Sequence, residues 1–219
     1  MKLDDVLTKY YTTVGIDKLQ GWQSIITIGK ASAQGAEYPL RITMKRPGKI
    51  RIEVQVQSVK MVQACDGKNG WSIIPWSGSS DPQDMTADET RVIRDQADFE
   101  GSLYNWQQKG YIAELIGKED VDGSPAWHIK VTKLSGDTED YFIDAENYVI
   151  LKLASKIHIQ GKESENENIN SNFKEVNGVL FPFTIENKNK GQVASHFIVD
   201  RYEVNADVND SLFIKPVKK

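Results

Sequence analysis

The stretch from Asp66 to Trp76, DGKNGWSIIPW, gathers residue types from which binding sites are made: an aspartate, a lysine, two glycines and two tryptophans. A phosphate cradle built this way must open a helix, whose first amides then point at the anion. Here Trp71-Ser72-Ile73-Ile74 follows, and that run reads as a strand. Asp66-Gly67 and Asn69-Gly70 are instead the pairs that supply positive φ to a hairpin loop. The stretch therefore turns the chain round.

The remaining reactive side chains are dispersed. His128 shares strand parity with Lys130 and Thr132, opposite Trp127, Ile129 and Val131. His158 is in phase with Lys152 and Lys156, so both histidines belong on wet faces, and no histidine falls in an HxH or HExxH pattern. There is no GxSxG elbow and no GxxxxGK[ST] or GxGxxG loop. Cys65 is the single cysteine, which excludes an intramolecular disulfide and a multi-cysteine zinc site. It reads as a small hydrophobe within a strand. The segment KESENENINSN at 162–172 lacks the carboxylate spacing and turn glycine of a calcium loop, and reads as a solvated strand face or edge. No catalytic residue, metal or cofactor is expected, and the chain is not read as an enzyme.

Bulk properties narrow the class further. With 219 residues, a net charge of −4 and a pI near 5.5, the chain lacks the basic stripe of a nucleic-acid binder. No apolar run of about 18 residues is present to span a membrane. Met1-Lys2-Leu3-Asp4-Asp5 places charge where a signal peptide needs an apolar core. Taken literally that means a cytosolic protein, but a chain whose export signal has been removed reads the same way.

The elements that would position any site follow from periodicity. Leu3, Val6, Leu7, Tyr10, Tyr11 and Val14 recur at steps of three and four, which predicts a helix over 1–15 closed by Gly15. From Gln23 the period becomes two. Leu40, Ile42 and Met44 alternate with Arg41, Thr43 and Lys45; after Pro47-Gly48, Ile50, Ile52, Val54 and Val56 alternate with Arg51, Glu53, Gln55 and Gln57. That is the pattern of antiparallel strands with one apolar and one wet face. Strands are expected over 23–34, 36–46, 49–57, 58–66, 70–76, 109–118, 124–134, 138–144, 148–160, 165–176, 179–188 and 192–204, about a dozen, enough for a barrel or large half-barrel. The interruption at 81–107 opens with a capping box, Thr86 to Glu89. It continues with apolar residues at roughly helical spacing, predicting two short helices broken near Gly101. A single domain is expected over 1–219.

Two motifs then carry a resemblance. MKRPGKIRIEV at 44–54, followed by DGKNGWSIIPW at 66–76, resembles the LolA-like family of periplasmic lipoprotein carriers. In that family a strand ending in Lys-Arg-Pro leads to an Asp-Gly-Lys hairpin with a tryptophan and a later Pro-aromatic pair. Lys45, Arg46 and Pro47, then Asp66, Gly67, Lys68, Trp71, Pro75 and Trp76, occupy those places in order. DSLFIKP at 210–216 is similar to the family's closing segment, and the N-terminal YYTTVGIDKLQGWQSI to its Bacteroidetes-type members.

The resemblance implies an α+β, mainly antiparallel fold: an incomplete, unclosed β-barrel of about 11–12 strands with an N-terminal helix and a helical lid at 81–107. It implies an apolar cavity for acyl chains, with Leu40, Ile42, Met44, Arg46, Ile50, Ile52, Val54, Met61, Trp71, Ile73, Phe99, Leu103 and Trp106 as cavity and lid residues. By match to the family's Lys-Arg-Pro arginine, the resemblance implies that Arg46 would be a latch, bonding lid backbone and holding the cavity shut. Parity agrees, since Arg46 leans toward the face of Leu40, Ile42 and Met44, where a guanidinium needs carbonyl or carboxylate partners. The implied function is non-enzymatic: a periplasmic carrier of lipoprotein acyl chains or other lipids toward the outer membrane. It would load at an inner-membrane release complex and unload at an outer-membrane receptor. The alternative on the same fold is a regulatory or receptor-like protein that senses lipids or proteins.

Overall fold

The structure is a computed structural model and describes residues 1–33 and 35–217. Gln34, the end of the strand expected over 23–34, lies outside the described residues. In chain order the elements are helices α1 (Leu3–Val14) and α2 (Ile16–Leu19) and strands β1 (Ser24–Ala33), β2 (Ala36–Lys45), β3 (Lys49–Val56), β4 (Val59–Asp66), β5 (Gly70–Ile73) and β6 (Gln83–Asp84). Helix α3 (Ala87–Asp95) follows. The chain continues through strands β7 (Ile112–Val121), β8 (Ser124–Thr132), β9 (Thr138–Asp144), β10 (Ile150–Ile159), β11 (Lys162–Val176), β12 (Val179–Asn189) and β13 (Gln192–Val204).

The strands form one mainly antiparallel sheet of 13 in the order β6-β5-β4-β3-β2-β1-β13-β12-β11-β10-β9-β8-β7. Its end strands, β6 and β7, do not close on each other. The strand beyond the expected 11–12 is β6, two residues paired with Trp71 and Ser72, too short to leave a periodic signal. By compactness the chain divides into one unit of Met1–Gly21 with Glu100–His196 and another of Trp22–Phe99 with the segment from Phe197 onward.

In the first unit, α1 buries Val6, Leu7 and Tyr10, the stripe that its periodicity announced, and packs on β12. Gly15 ends it in the left-handed region at φ 80°, its N–H bonding the Tyr11 carbonyl at 3.0 Å. A side chain there would collide with the Gly178 carbonyl. Burial of Ile129 and Val131 on β8 and Tyr141 and Ile143 on β9 forms the sheet side of this core; the pairs Trp127–Ile143 and Ile129–Tyr141 put them on one face.

On the other face of the same strands polar groups pair. His128 sits between Glu119 (2.6 Å) and Asp140 (2.7 Å), stacked on Phe142. The polar segment 162–172 belongs to a strand held on both sides by β10 and β12, not to an edge. Its alternation sorts Glu165 and Glu167 onto the face of Lys156 (2.6 Å) and Lys152 (3.1 Å), leaving Asn166 and Asn168 on the other.

The expected lid segment 81–107 is helical only in α3. Thr86 caps it as its capping box requires, the Thr86 Oγ1 accepting from the Glu89 amide and the Thr86 amide donating to the Glu89 carboxylate. The second helix expected here is absent: residues 99–110 form a run of turns. Gly101 (φ 70°), Asn105 (φ 53°) and Gly110 (φ 71°) are left-handed, and a right-handed helix cannot pass through such residues.

Candidate functional site

The second unit holds most of the expected cavity residues. Its register assigns each side chain a face, since residues directly opposite across a strand pair project to the same side. Met44 opposes Ile50, which opposes Cys65; Ile42 opposes Ile52; Leu40 opposes Val54, which opposes Met61. These residues share one face. Helix α3 lies on its first row, where Ile93 and Ala97 are buried with Ile50 and Cys65, and Ile42, Met44, Ile52 and Met85 pack around them. Cys65 is fully buried, and burial pushes its thiol pKa up, which makes it an inert core residue.

Close approach of α3 depends on Gly70, at the end of this row. A Cβ on Gly70 would stand 2.7 Å from Thr90 Oγ1 and 2.9 Å from Met85 Sδ. Farther along the face, Leu40, Val54 and Met61 remain half-buried and form an apolar row of their own.

Arg46 stands at the end of β2. Its Nε donates to the Trp22 carbonyl at 2.8 Å, and its guanidinium lies 4.4 Å from the centre of the Phe99 ring. Phe99 comes four residues after α3 ends. Arg46 thus joins the chain entering β1 to the chain leaving α3 through a charge-assisted hydrogen bond and a cation–π contact.

Of the other expected cavity residues, Trp71 and Ile73 do not join this face. Trp71 opposes Ala64 and Ile73 opposes Val62, and these in turn oppose Arg51 and Glu53, so the two lie on the reverse side with Val62 and Ala64. Parity within β5 was legible, but its phase against β4 was not, because the hairpin loop length sets that phase. Leu103 and Trp106 belong to the other compact unit. Leu103 is buried and accepts the Tyr11 hydroxyl at 2.6 Å, while Trp106 is half-buried.

The reverse face is also not the wet face that alternation predicted. The segment after β13 covers it. Val208 and Phe213 are buried against Ile26, and Trp71 Nε1 donates to the Phe213 carbonyl at 2.8 Å. Arg51 Nη1 donates to the Leu212 carbonyl at 3.0 Å, and Lys45 Nζ to the Val208 carbonyl at 2.7 Å. Lys45 and Lys49 both grip Asp210, at 2.7 and 2.5 Å, and their hydrogen bonds lower its pKa to about 2. The charged residues that look like a solvent face in sequence are therefore donors to the carbonyls of a closing strap.

In the DGKNG turn, Asp66 Oδ1 accepts the amides of Lys68 (2.9 Å) and Asn69 (2.7 Å). The loop satisfies its own donors, as a hairpin turn should. Among the described residues no group of three or more His, Cys, Asp or Glu is placed to hold a metal ion.

Neither a protein-family model nor a curated protein sequence matches this chain. Solved structures do, and they give the class: an open, LolA-like antiparallel sheet with helices. A LolA superfamily protein from Nitrosomonas europaea is 14% identical over 98% of this chain and 98% of its own, with a TM-score of 0.63. A domain described as an outer membrane lipoprotein-sorting protein, from Vibrio parahaemolyticus, is 11% identical over 95% and 94%, with a TM-score of 0.61. A DUF1329 family protein from Desulfovibrio piger is 12% identical over 95% and 97%, with a TM-score of 0.63. At these identities the likeness is one of fold. Among the described residues no helix is long and apolar enough to cross a membrane.

Proposed function

We propose that this protein is a non-enzymatic carrier that takes up acyl chains of lipoproteins, or other lipids, on the apolar face of β2–β4 and delivers them toward the outer membrane. The observation that carries the reading is the way that face is covered. Helix α3 sits on one end of it through Ile93 and Ala97, and the chain leaving it is met by Arg46 at the Phe99 ring. Leu40, Val54 and Met61 continue the same face half-buried. Met44, Met61 and Met85 lend it the adaptability that flexible chains require.

The physical task fits such a surface. Each methylene withdrawn from water contributes about 0.8 kcal/mol, so a two- or three-chain anchor needs an apolar shelter to leave a bilayer. A cover of one short helix, seated on a small apolar cluster and met by Arg46 at its exit, can be displaced and restored, which permits release as well as uptake. The reading places the protein in the periplasm. Its partners there are an inner-membrane release complex and an outer-membrane receptor.

Titration with a fluorescent long-chain acyl probe tests it. Saturable binding near about one probe per protein, altered by Arg46→Leu and displaced by a lipopeptide, is the expected result. No saturable binding by a folded protein would overturn the reading.

A further inference from the structure

The DGKNG turn and α3 frame a cleft that the apolar face leaves unused. It encloses about 380 Å³, and its lining includes Lys68 from the turn and Arg91 and Arg94 from α3, together with Thr90 and Asp84. Arg91 and Arg94 are three residues apart and so occupy one flank of the helix. Asp84 is the one carboxylate among the lining residues, and it is held 2.9 Å from Lys215 Nζ. The Asp66 carboxylate is occupied with the turn's own amides. The cleft is thus a concave surface lined by three cations and one anion, the latter paired with Lys215.

Guanidinium groups present paired N–H donors whose spacing matches the oxygens of phosphate, and an ammonium adds a compact charge. Thr90 and the Asn69 side chain contribute neutral polar groups to the same lining. We propose that this cleft binds a phosphate group, presented by an anionic phospholipid or as free phosphate. A phosphate held here contacts both the β4–β5 turn and α3, the helix that covers the apolar face. The site stands on its own charges; only its consequence for uptake and release of acyl chains rests on the carrier reading.

The test compares the wild-type chain with the double variant Lys68→Gln/Arg94→Gln. Lys68 and Arg94 are exposed and outside the α3 cluster, so the variant is expected to keep the wild-type melting temperature. Inorganic phosphate is titrated calorimetrically at low ionic strength, because salt at about 0.1 M screens exposed charges beyond about 10 Å. Sedimentation with phosphatidylglycerol vesicles is run beside phosphatidylcholine vesicles.

Saturable phosphate binding, weakened about tenfold or more in the variant, supports the site. Added retention on phosphatidylglycerol vesicles alone, lost in the variant, assigns the phosphate to a lipid headgroup; phosphate binding without vesicle retention assigns it to the free ion. Absence of phosphate binding, or equal affinity in both proteins, overturns the proposal. Should the acyl probe fail to bind while phosphate binds as expected, the carrier reading falls and the anion site remains.

Discussion

Replacing Arg46 with leucine separates two contributions that the structure assigns to one side chain. The stem is kept, and the guanidinium is lost from both the Trp22 carbonyl and the Phe99 ring. When α3 lifts from the sheet, the ring contact breaks, whereas the bond to Trp22, at the entry to β1, does not depend on α3. Local opening should therefore become easier by at least the cation–π contribution, about 0.5–2 kcal/mol. At about 1.36 kcal/mol per decade this is an increase of about 2-fold to about 30-fold in amide exchange. Global stability should fall by more, since a hydrogen bond from a charged donor adds about 1.5–3 kcal/mol. Native-state hydrogen exchange reads both quantities in one experiment. The amides of Arg91–Asp95 should lose protection by the smaller factor and those of β3 by the full one. Wild-type protection of the α3 amides in a globally destabilised variant would refute the role given to Phe99.

Other perturbations test the two covers of the sheet. Gly70→Ala forces Thr90 and Met85 aside and should destabilise by about 1–3 kcal/mol in chemical denaturation; a neutral result would mean that α3 does not press on this row. Trp71→Phe removes the donor to the buried Phe213 carbonyl and should cost about 1–3 kcal/mol. Acyl-probe affinity should stay unchanged, because Trp71 is on the reverse face. Asp210 has a depressed folded-state pKa, so the stability it contributes is present above its unfolded value near 3.8 and is lost as pH falls through about 2. Acid unfolding followed by circular dichroism should show that loss between about pH 4 and about pH 2, and Asp210→Asn should remove that part of the pH dependence.

What could be read from sequence was what short-range chemistry decides. The alternation of Ile50, Ile52 and Val54 gave β3 and its apolar face. Asp66-Gly67 and Asn69-Gly70 gave the hairpin, and Thr86 with Glu89 gave the start of α3. Each of these is settled within a few residues. The failures came where distant segments decide. Arg51, Glu53 and Lys45 carry charge in strict alternation, yet the strap from Val208 to Phe213 supplies carbonyls and a carboxylate that only the fold brings near. The family resemblance places Trp71 among the cavity residues, whereas its pairing with Ala64 puts it on the other side of the sheet. Phe99, Leu103 and Trp106 mimic helical spacing, but left-handed Gly101 and Asn105 keep the segment from forming a helix. Arg46 shows both limits: its unusual parity marked it as a residue needing partners, while the Trp22 carbonyl and the Phe99 ring could not be named without coordinates.

The central claim is that acyl chains lie on the face of Leu40, Val54 and Met61 beside α3. Photo-crosslinking with a diazirine-bearing acyl chain, followed by mass-spectrometric mapping of the labelled residues, addresses it directly. The account predicts label in β2, β3 and β4 at Leu40, Ile42, Val54 and Met61, suppressed by a competing lipopeptide. Label confined to the strap at Val208 and Phe213, or scattered without competition, would contradict it.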